Sequence, residues 1–406
     1  MDKVRFGIVG CGNMGTGHAK NFAEGKIKNG VLTAVCDINP QKLDLFREKY
    51  GDALQYFNNT DDMFKSGSCD CVIICVPHYD HPTLAISAMD HELHCIVEKP
   101  AGVYTLQVEE MMERAKTSDK VLGIMFNQRT NPAFKKMKQM IADGRIGEIK
   151  RTNWIITNWY RSQQYYDSGE WRATWIGEGG GVLYNQAPHQ LDLFQWIVGM
   201  MPSKVHAFCH FGKWHNIEVE DDVTAYVEYE NGATGTFITT TGDIPGTNRF
   251  EITLEHGKLI AEGEKLTMWR SEISEPEFSR TNEVAFAWPE IVESEVETDG
   301  KNEQHSGVMN AFAAAILRNE PLVAEGYEGI NGLSISNAMH LSSWLGKEIV
   351  ISELDHEKFY ELLMERVKTS KRRTEVREVK VDMSASFGKE EKDEDLYLRN
   401  GLGRGL

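Results

Sequence analysis

Two side chains in this sequence are of types that could move a proton. Lys99 lies in Glu98-Lys99-Pro100, directly after the apolar run Cys95–Val97, and His189 follows Pro188 at the start of a helical stretch. A histidine can accept a hydroxyl proton near neutral pH, and a lysine can donate a hydrogen bond to an oxygen that gains negative charge. The pair indicates acid–base chemistry on an alcohol; a solvated turn lysine and a capping histidine are the structural alternatives.

A glycine-rich turn near the start of the chain predicts a nucleotide cofactor. Gly10-Cys11-Gly12-Asn13-Met14-Gly15 follows the apolar run Phe6–Val9 and opens a helical stretch. Such glycines permit a tight turn, close approach of a pyrophosphate and close packing of the helix on the strand. Asp37 ends the next strand, Leu32–Cys36, about 20 residues further on, where a carboxylate binds a ribose 2′-hydroxyl. No Arg or Lys occurs between Asp37 and Lys42, so the pattern favours NAD over NADP.

The segment from Gly179 to Asp192 is the third candidate. Three consecutive glycines at its start allow the backbone to approach a ligand or the nicotinamide end of the cofactor closely. Asn185 and His189 follow, on either side of Pro188, which is predicted to be the first residue of a helix. We expect both side chains to point into a crevice between two domains.

These residues need elements that bring them to one edge of a sheet. Short apolar strands alternate with helical stretches along residues 1–128, which is typical of a doubly wound parallel sheet. The later strands are predicted at Cys71–Val76, Cys95–Val97 and Leu122–Phe126. Ligands bind outside the carboxyl ends of such strands, and both Asp37 and Lys99 directly follow a strand. The predicted fold class is α/β, with an N-terminal Rossmann domain.

Residues 129–350 show a different pattern. A helix is predicted between Asn131-Pro132 and Gly144, followed by strands rich in Thr, Val, Ile and aromatic residues. Turns between strands are predicted at Asn231-Gly232, His256-Gly257 and Glu262-Gly263. The Asn-Gly dipeptide favours a type I′ turn. We expect an α+β substrate domain with a large open, mostly antiparallel sheet, interrupted by helices from Pro188, His305 and Gly326.

Composition excludes several classes of partner. The 406 residues include 61 acidic and 44 basic ones, a formal charge of −17 that disfavours binding to nucleic acid and to anionic membranes. No apolar run approaches the ~20 residues of a membrane span. Six of the seven cysteines lie in the first 95 residues, mostly in strand patterns, and are predicted to be reduced core thiols. The expected location is the cytoplasm.

Residues 351–406 form a charged C-terminal extension. Asp355 is predicted to cap a helix whose apolar face holds Phe359, Leu362, Leu363 and Val367. The mostly charged stretch 389–395 and the glycine-rich end indicate a free tail. An arm that reaches a neighbouring subunit is the alternative.

Taken together, these motifs resemble the glucose-fructose oxidoreductase, inositol dehydrogenase and rhizopine catabolism (Gfo/Idh/MocA) family. The resemblance rests on the glycine turn with Asp37, Val76-Pro77 with His81, Glu98-Lys99-Pro100, Asn127-Gln128-Arg129 with Pro132, and the Gly179-to-Asp192 segment. It implies a Rossmann domain, a substrate domain whose sheet face makes subunit contacts, and a homo-oligomer, either a dimer or a tetramer. It also implies action on a sugar, glycoside or cyclitol.

Residue by residue, Lys99 matches the catalytic lysine of the family and His189 its catalytic histidine. The cofactor-binding positions that the resemblance implies are Gly10, Gly12, Asn13, Met14, Gly15, Asp37, Pro77, His81, Glu98, Lys99 and Gln128. Asn185 departs from the pattern, because the family usually has Asp four residues before the histidine. An amide can bind a hydroxyl but cannot take up a proton at neutral pH. We therefore expect Asn185 to orient the substrate and the proton relay to be simpler or to use another group.

Aromatic residues before the glycine run could bind the apolar face of a sugar. The predicted substrate wall consists of Trp159, Tyr160, Trp171 and Arg172. Trp154, on an alternating strand, is expected in the core. No metal site is predicted, because the histidine pairs His78/His81 and His91/His94 lack further ligands at zinc-like spacing. The acidic cluster Glu218, Glu220, Asp221 and Asp222 is expected to be the solvated start of a strand.

The sequence thus predicts an NAD-dependent oxidoreductase that transfers hydride between a secondary alcohol and nicotinamide. Two alternatives remain open. In one, oxidation by a retained NAD is the first step in breaking a glycosidic bond, because a ketone acidifies the neighbouring C–H. In the other, the chain is a non-catalytic sugar sensor built on the same fold.

Overall fold

Two separate sheets organise the chain in the computed structural model, which describes residues 2–372. The first sheet has six strands: β1 (Val4–Val9), β2 (Gly30–Cys36), β3 (Gln55–Phe57), β4 (Cys71–Ile74), β5 (His94–Val97) and β6 (Leu122–Ile124). The helices between them are α1 (Asn13–Ala23), α2 (Pro40–Tyr50), α3 (Thr60–Lys65), α4 (His81–Asp90) and α5 (Thr105–Lys116).

All neighbouring strands of this first sheet run parallel, in the order β3-β2-β1-β4-β5-β6. The order reverses between β1 and β4, which opens a crevice at the carboxyl ends of the strands. The predicted doubly wound sheet is confirmed, and the structure adds the short edge strand β3. Its three residues are too few to produce a recognisable periodicity in the sequence.

The second sheet follows helix α6 (Pro132–Ala142). Its strands are β7 (Ile149–Ile156), β8 (Lys204–Phe211), β9 (Glu220–Glu228), β10 (Thr234–Thr240), β11 (Asn248–Leu254), β12 (Gly257–Glu262), β13 (Lys265–Arg270), β14 (Val292–Glu295) and β15 (Ile349–Val350). The order is β14-β13-β12-β11-β7-β10-β9-β8-β15, and only the pair β7–β10 within these described strands is parallel. The prediction of an open, mostly antiparallel sheet is confirmed.

The remaining helices cover these sheets. They are α7 (Gln163–Tyr166), α8 (Pro188–Trp196), α9 (Glu275–Thr281), α10 (Gln304–Arg318), α11 (Gly329–Leu345) and α12 (His356–Thr369). Helix α11 packs on β8 and α8, whereas α10 packs on the first sheet, where the ring of Phe312 lies 6.4 Å from that of Phe6. Trp154 is fully buried and stacks on Phe250, as its place on an alternating strand predicts.

The turn between β9 and β10 corrects one prediction. Gly232 has a φ of 83°, but Asn231 does not have a positive φ, so the predicted type I′ turn is wrong. The Gly232 amide donates to the Tyr229 carbonyl, and the Tyr229 amide donates to the Ala233 carbonyl. A three-residue loop with one left-handed glycine therefore joins the strands, a second arrangement that matches their twist.

Helix ends follow the local sequence closely. The Asn131 side chain accepts from the amides of Ala133 and Phe134 at the start of α6, as predicted. Asp355 caps α12 through the Lys358 amide, and Phe359 and Leu363 of that helix are buried. The predicted tail and the stretch 389–395 lie outside the described residues. All seven cysteines are free thiols, and no helix within residues 2–372 is long and apolar enough to cross a bilayer.

Candidate active site

The glycine turn between β1 and α1 has the shape that a dinucleotide requires. Gly10 has a φ of 98°, and a Cβ there would lie 2.5 Å from the Cys75 carbonyl oxygen. A Cβ at Gly15 would lie 2.0 Å from the Gly10 carbonyl oxygen, so neither position admits a side chain. Gly12 faces open space, and its helix starts without a side-chain cap. Free backbone N–H groups at a helix start suit a pyrophosphate.

Asp37 lies at the carboxyl end of β2 and is mostly buried. Its Oδ2 accepts from the Cys11 amide at 2.7 Å, and its Oδ1 accepts from the Asn39 amide at 2.8 Å. The carboxylate therefore holds the glycine turn as well as facing the crevice edge. The Lys42 ammonium lies 3.6 Å from Oδ2. This contact was not predicted from the sequence, in which Lys42 comes five residues after Asp37.

Lys99 follows β5 and is half-buried. Its Nζ donates to the backbone carbonyl of Asn185 at 2.8 Å, and the Lys99-Pro100 peptide bond is cis. Desolvation lowers the pKa of the Lys99 ammonium, against the opposing charges of Glu98 and Glu178. The structure thus joins the two motifs, Glu98-Lys99-Pro100 and Gly179-to-Asp192, through one hydrogen bond.

Glu98 is buried beside a histidine of α1. Its Oε1 lies 2.7 Å from His18 Nε2; burial opposes ionisation, but the hydrogen bond from His18 and its charge lower the pKa of Glu98 to about 2. Atoms of His18, Cys75 and Glu98 that could bind a metal lie within 4.8 Å of one another. The sequence spacing did not reveal this group. Because His18 and Glu98 already bond each other, we assign no metal to it.

His189 lies in the first turn of α8 and is 5% exposed. Burial, followed by the nearby charge of Lys99, lowers the pKa of His189 well below its ordinary value. Its Nδ1 has no hydrogen-bond partner within the described part of the chain. The neutral form of the His189 imidazole is therefore favoured, and one of its nitrogens is unbonded among the described residues.

A hydrogen-bonded network surrounds Asn185. Its Oδ1 accepts from the Tyr165 hydroxyl at 3.3 Å, and that hydroxyl accepts from the Arg172 guanidinium at 2.8 Å. On the other side, the Asn185 amide nitrogen donates to Oε1 of Glu178. Glu178 is 2% exposed, and burial raises its pKa above the ordinary value. Sequence reasoning missed both Glu178 and Tyr165, because neither belongs to a periodic pattern or to a recognised motif.

The structure brings only some residues of the predicted substrate wall close together. The Arg172 guanidinium lies over the rings of Trp171 and Tyr165, at 4.8 and 4.5 Å, beside Asn185. Trp159 is 6% exposed, whereas Tyr160 is 45% exposed. Trp171 and Arg172 thus stand at the site, Trp159 is mostly enclosed, and Tyr160 lies at the surface.

Three predicted cofactor positions lie around the crevice. Pro77 is exposed after β4, and His81 is 1% exposed, with its two ring nitrogens 2.7 and 2.8 Å from the carbonyls of Pro100 and Val76. His81 therefore ties two loops together. Gln128 is half-buried and donates to the Gln304 side chain at 3.2 Å.

The acidic cluster before β9 corrects a further prediction. Glu220 and Asp221 are fully buried, so the expected solvated strand start is wrong. Glu220 Oε1 accepts from the amides of Gly181 and Leu183, at 2.9 and 3.0 Å. Asp221 accepts from three consecutive amides, beginning at Lys213, and lies 3.0 Å from a ring nitrogen of His215. The acids are buried because they satisfy the backbone donors of irregular loops.

Comparisons with known proteins agree with this geometry. Residues 4–126 match the oxidoreductase family with an NAD-binding Rossmann fold, and residues 134–260 match the GFO/IDH/MocA C-terminal domain. A myo-inositol 2-dehydrogenase of Thermotoga maritima is 28% identical over 204 residues, which cover 50% of this chain and 58% of that protein. A D-glucoside 3-dehydrogenase of Escherichia coli is 28% identical over 250 residues, which cover 56% and 68%.

Among solved structures, the WlbA dehydrogenase from Bordetella pertussis, in complex with NADH and UDP-GlcNAcA, has the same fold. The TM-score is 0.74 at 24% identity, and the match covers 86% of this chain and 98% of that one. The two family matches together span the whole first sheet, strands β7 to β11 of the second sheet and all three motifs of the crevice. The chain therefore belongs to the Gfo/Idh/MocA family of oxidoreductases and has its NAD-binding Rossmann fold.

Proposed function

We propose that this protein is an NAD-dependent dehydrogenase that oxidises a secondary alcohol of a sugar, glycoside or cyclitol. The observation that carries the proposal is the pairing of a neutral, buried His189 with a desolvated Lys99 whose ammonium is held by the Asn185 carbonyl. A neutral imidazole can accept the hydroxyl proton, and the ammonium can stabilise the oxygen as it becomes alkoxide-like. A non-catalytic sugar sensor would have no need to desolvate either group.

The cofactor fits the residues of the crevice. Backbone groups of Gly12, Asn13 and Met14 would hold the pyrophosphate, and Asp37 would accept from a ribose hydroxyl. When bound, NAD supplies the hydride acceptor. Glu98 takes part indirectly, because its bond to His18 fixes the turn that carries Lys99. Pro77, His81 and Gln128 complete the walls.

The chain's own residues also provide for the substrate. We assign substrate orientation to Asn185, Trp171 and Arg172, which the structure brings together beside Lys99. Tyr160 is a second contact that an extended substrate could reach at the surface. Trp159 would support the wall from behind, since only 6% of it is exposed.

The direct test is a substrate panel. Purified protein is incubated with NAD and, separately, with myo-inositol, free hexoses, methyl glucosides and aryl glucosides. Absorbance at the NADH wavelength and released aglycone are recorded together. A net yield of NADH with free sugars or cyclitols supports the dehydrogenase. Aglycone release without net NADH would instead establish redox-assisted glycoside cleavage, and neither signal with any compound would refute both.

Cofactor choice gives a second test. Asp37→Ala removes the carboxylate that would repel a 2′-phosphate and leaves Lys42 free to attract one. We expect wild type to bind NADH much more tightly than NADPH, and the variant to narrow that ratio by roughly tenfold or more, since a lost charge contact is worth about 1.4 kcal/mol or above. Fluorescence titration measures both constants. Asp44→Ala, an exposed acid on α2, is the control; a wild-type preference for NADPH would contradict the role of Asp37.

We also propose a homo-oligomer that assembles through the outer face of the second sheet. Phe208 on β8, Tyr226 on β9 and Ile155 on β7 are 58, 42 and 37% exposed on that face, with β10 between β9 and β7. An apolar patch on a sheet face suits a subunit interface. The seven free cysteines favour the cytoplasm as the location.

A further inference from the structure

Asn185 lies in the middle of a hydrogen-bonded chain whose two ends carry opposite charge. The chain runs from Arg172 to the Tyr165 hydroxyl, from there to Asn185 Oδ1, and from Asn185 Nδ2 to Glu178 Oε1. The Lys99 ammonium donates to the backbone carbonyl of the same asparagine. The side chains of this network lie in the segment 165–186 or in the turn after β5.

The two ends fix the direction of every bond between them. A guanidinium only donates, so the Tyr165 oxygen accepts from Arg172 and its hydroxyl proton must point onward to Asn185. At the other end both oxygens of Glu178 accept, Oε1 from Asn185 and Oε2 from the Ala173 amide, so the NH₂ of Asn185 points to Glu178. The Gln186 side chain also donates to the Tyr165 oxygen, at 3.3 Å, in the same sense. The Asn185 oxygen is thereby turned away from Glu178.

Glu178 is itself held firmly. Its Oε2 accepts from the Ala173 amide at 2.6 Å, and a ring nitrogen of His78 lies 3.2 Å from its backbone oxygen. Ala173 has a φ of 52°, a left-handed conformation that costs about 1–3 kcal/mol in a residue with a side chain. The fold retains this strained turn, and the turn presents its amide to Glu178.

We propose that Glu178 is a positioning residue that fixes the orientation of the Asn185 amide, so that the Asn185 oxygen is held as a hydrogen-bond acceptor for the substrate. The inference rests on the proposed dehydrogenase function and adds a specificity rule. One N–H of the Asn185 NH₂ is bonded to Glu178, and the oxygen of the same amide keeps a lone pair beyond the one that accepts from the Tyr165 hydroxyl. The site therefore selects a substrate that donates a hydroxyl hydrogen at this point, and it discriminates against an analogue in which that hydroxyl is methylated or replaced by hydrogen.

This arrangement separates two properties that an aspartate at position 185 would combine. An aspartate accepts a hydrogen bond and also brings a negative charge four residues before His189, which already experiences the charges of Lys99, His305 and Glu98. Here the acceptor stays at Asn185, while the charge sits one side chain further away, at Glu178. A carboxylate near a histidine raises its pKa, so His189 remains neutral to lower pH than it would beside an aspartate.

The first variant is Glu178→Gln. Its Oε1 can still accept from the Ala173 amide, but its NH₂ then faces the NH₂ of Asn185, and two donors cannot bond each other. The Asn185 amide must flip and present its NH₂ to the substrate. We expect KM for the best compound of the panel to rise roughly tenfold or more, with NADH affinity unchanged. The matched control is Glu170→Gln, an exposed acid of the same segment, which should leave KM unaltered.

The double variant E178Q/N185D separates positioning from simple damage. The new glutamine NH₂ can donate to the new carboxylate, which again presents an acceptor to the substrate. We expect KM to recover to within about threefold of wild type. The acidic limb of the pH profile should move to higher pH than in wild type, because the charge now lies closer to His189. A double variant that is as impaired as E178Q, or an unmoved limb, would overturn the inference.

A spectroscopic measurement keeps this inference distinct from the proposed function. In NAD-loaded, ¹⁵N-asparagine-labelled protein, the side-chain NH₂ signal that vanishes in Asn185→Asp belongs to Asn185. The Asn185 side-chain proton that is hydrogen-bonded to the Glu178 carboxylate should resonate downfield. Its signal should move upfield in Glu178→Gln, because that hydrogen bond is lost. If no panel compound is oxidised but this shift is seen, the dehydrogenase proposal fails while the positioning role stands. A signal that does not move in Glu178→Gln refutes the positioning role, whatever the activity.

Discussion

Alanine in place of Lys99 or of His189 is expected to lower kcat for oxidation of the best panel substrate by roughly 10²- to 10⁴-fold. Lys99→Ala removes the donor that stabilises the developing alkoxide, and His189→Ala removes the base. Lys99 is half-buried and donates only to a backbone carbonyl, and the Nδ1 of the buried His189 has no partner among the described residues, so neither substitution deprives another side chain of a hydrogen bond. NADH affinity and the thermal midpoint should therefore change little. Steady-state kinetics, fluorescence titration and thermal melts check each part.

Lys135→Ala is the control for this pair, because Lys135 is a surface residue that contacts only Asp299 at 3.4 Å in the described network. It should behave as wild type in all three measurements. Near wild-type kcat in either active-site variant would move the chemistry to another residue. A loss of kcat accompanied by a large drop in the thermal midpoint would assign a structural role instead.

Asp192→Ala should destabilise the protein by about 3–5 kcal/mol, because it removes the carboxylate that binds the buried Arg129 guanidinium through two hydrogen bonds and leaves Glu328 as the remaining acidic partner. Arg129 is 2% exposed and Asp192 is fully buried. Two guanidinium nitrogens of Arg129 donate to the two oxygens of Asp192, at 2.7 and 2.8 Å, and a third donates to Glu328 at 2.8 Å. The pair joins the turn after β6 to helix α8, which carries His189. The midpoint of urea unfolding measures the change.

The surface pair Arg145–Asp143 provides the comparison, with Asp143→Ala expected to cost at most about 1 kcal/mol. The double variant R129M/D192L tests the cause. If the incompletely paired charge of Arg129 causes the destabilisation, replacing both Arg129 and Asp192 by apolar side chains should recover much of the lost stability. A double variant that loses the sum of the two single effects would show that the pair's shape, rather than its charge, matters.

The sequence predicted the parts of the site that depend on backbone geometry. The turn from Gly10 to Gly15 could be recognised because a tight turn and close helix packing admit glycine only, and the Cβ positions confirm this need. Lys99 stood out because a strand end in this fold faces a crevice. Both arguments use local sequence alone, so they required no knowledge of which segments meet.

The groups that sequence reasoning missed are polar residues of irregular loops. Glu178 lies between two glycines and resembles a solvated turn residue, yet it is buried because the Ala173 amide and the Asn185 side chain satisfy it. Glu220 and Asp221 were wrongly expected in solvent for the same reason. Whether a loop carboxylate is buried depends on which backbone donors the fold brings to it, and those donors are distant in the sequence or belong to the loop's own shape.

Helix α12 has a mechanical consequence for access to the crevice. At its start, His356 bonds Thr105 of α5, next to the first sheet; just after its end, Ser370 bonds Glu218 and the Ile176 amide, beside the loop that carries Glu178. In between, Arg366 lies 4.0 Å over the Trp344 ring of α11. Helix α12 therefore contacts both the half of the chain that holds the first sheet and the half that holds the second. A rigid-body separation of the two halves would have to break the bond of His356 to Thr105 or the bonds of Ser370 to Glu218 and Ile176, so α12 opposes opening of the crevice.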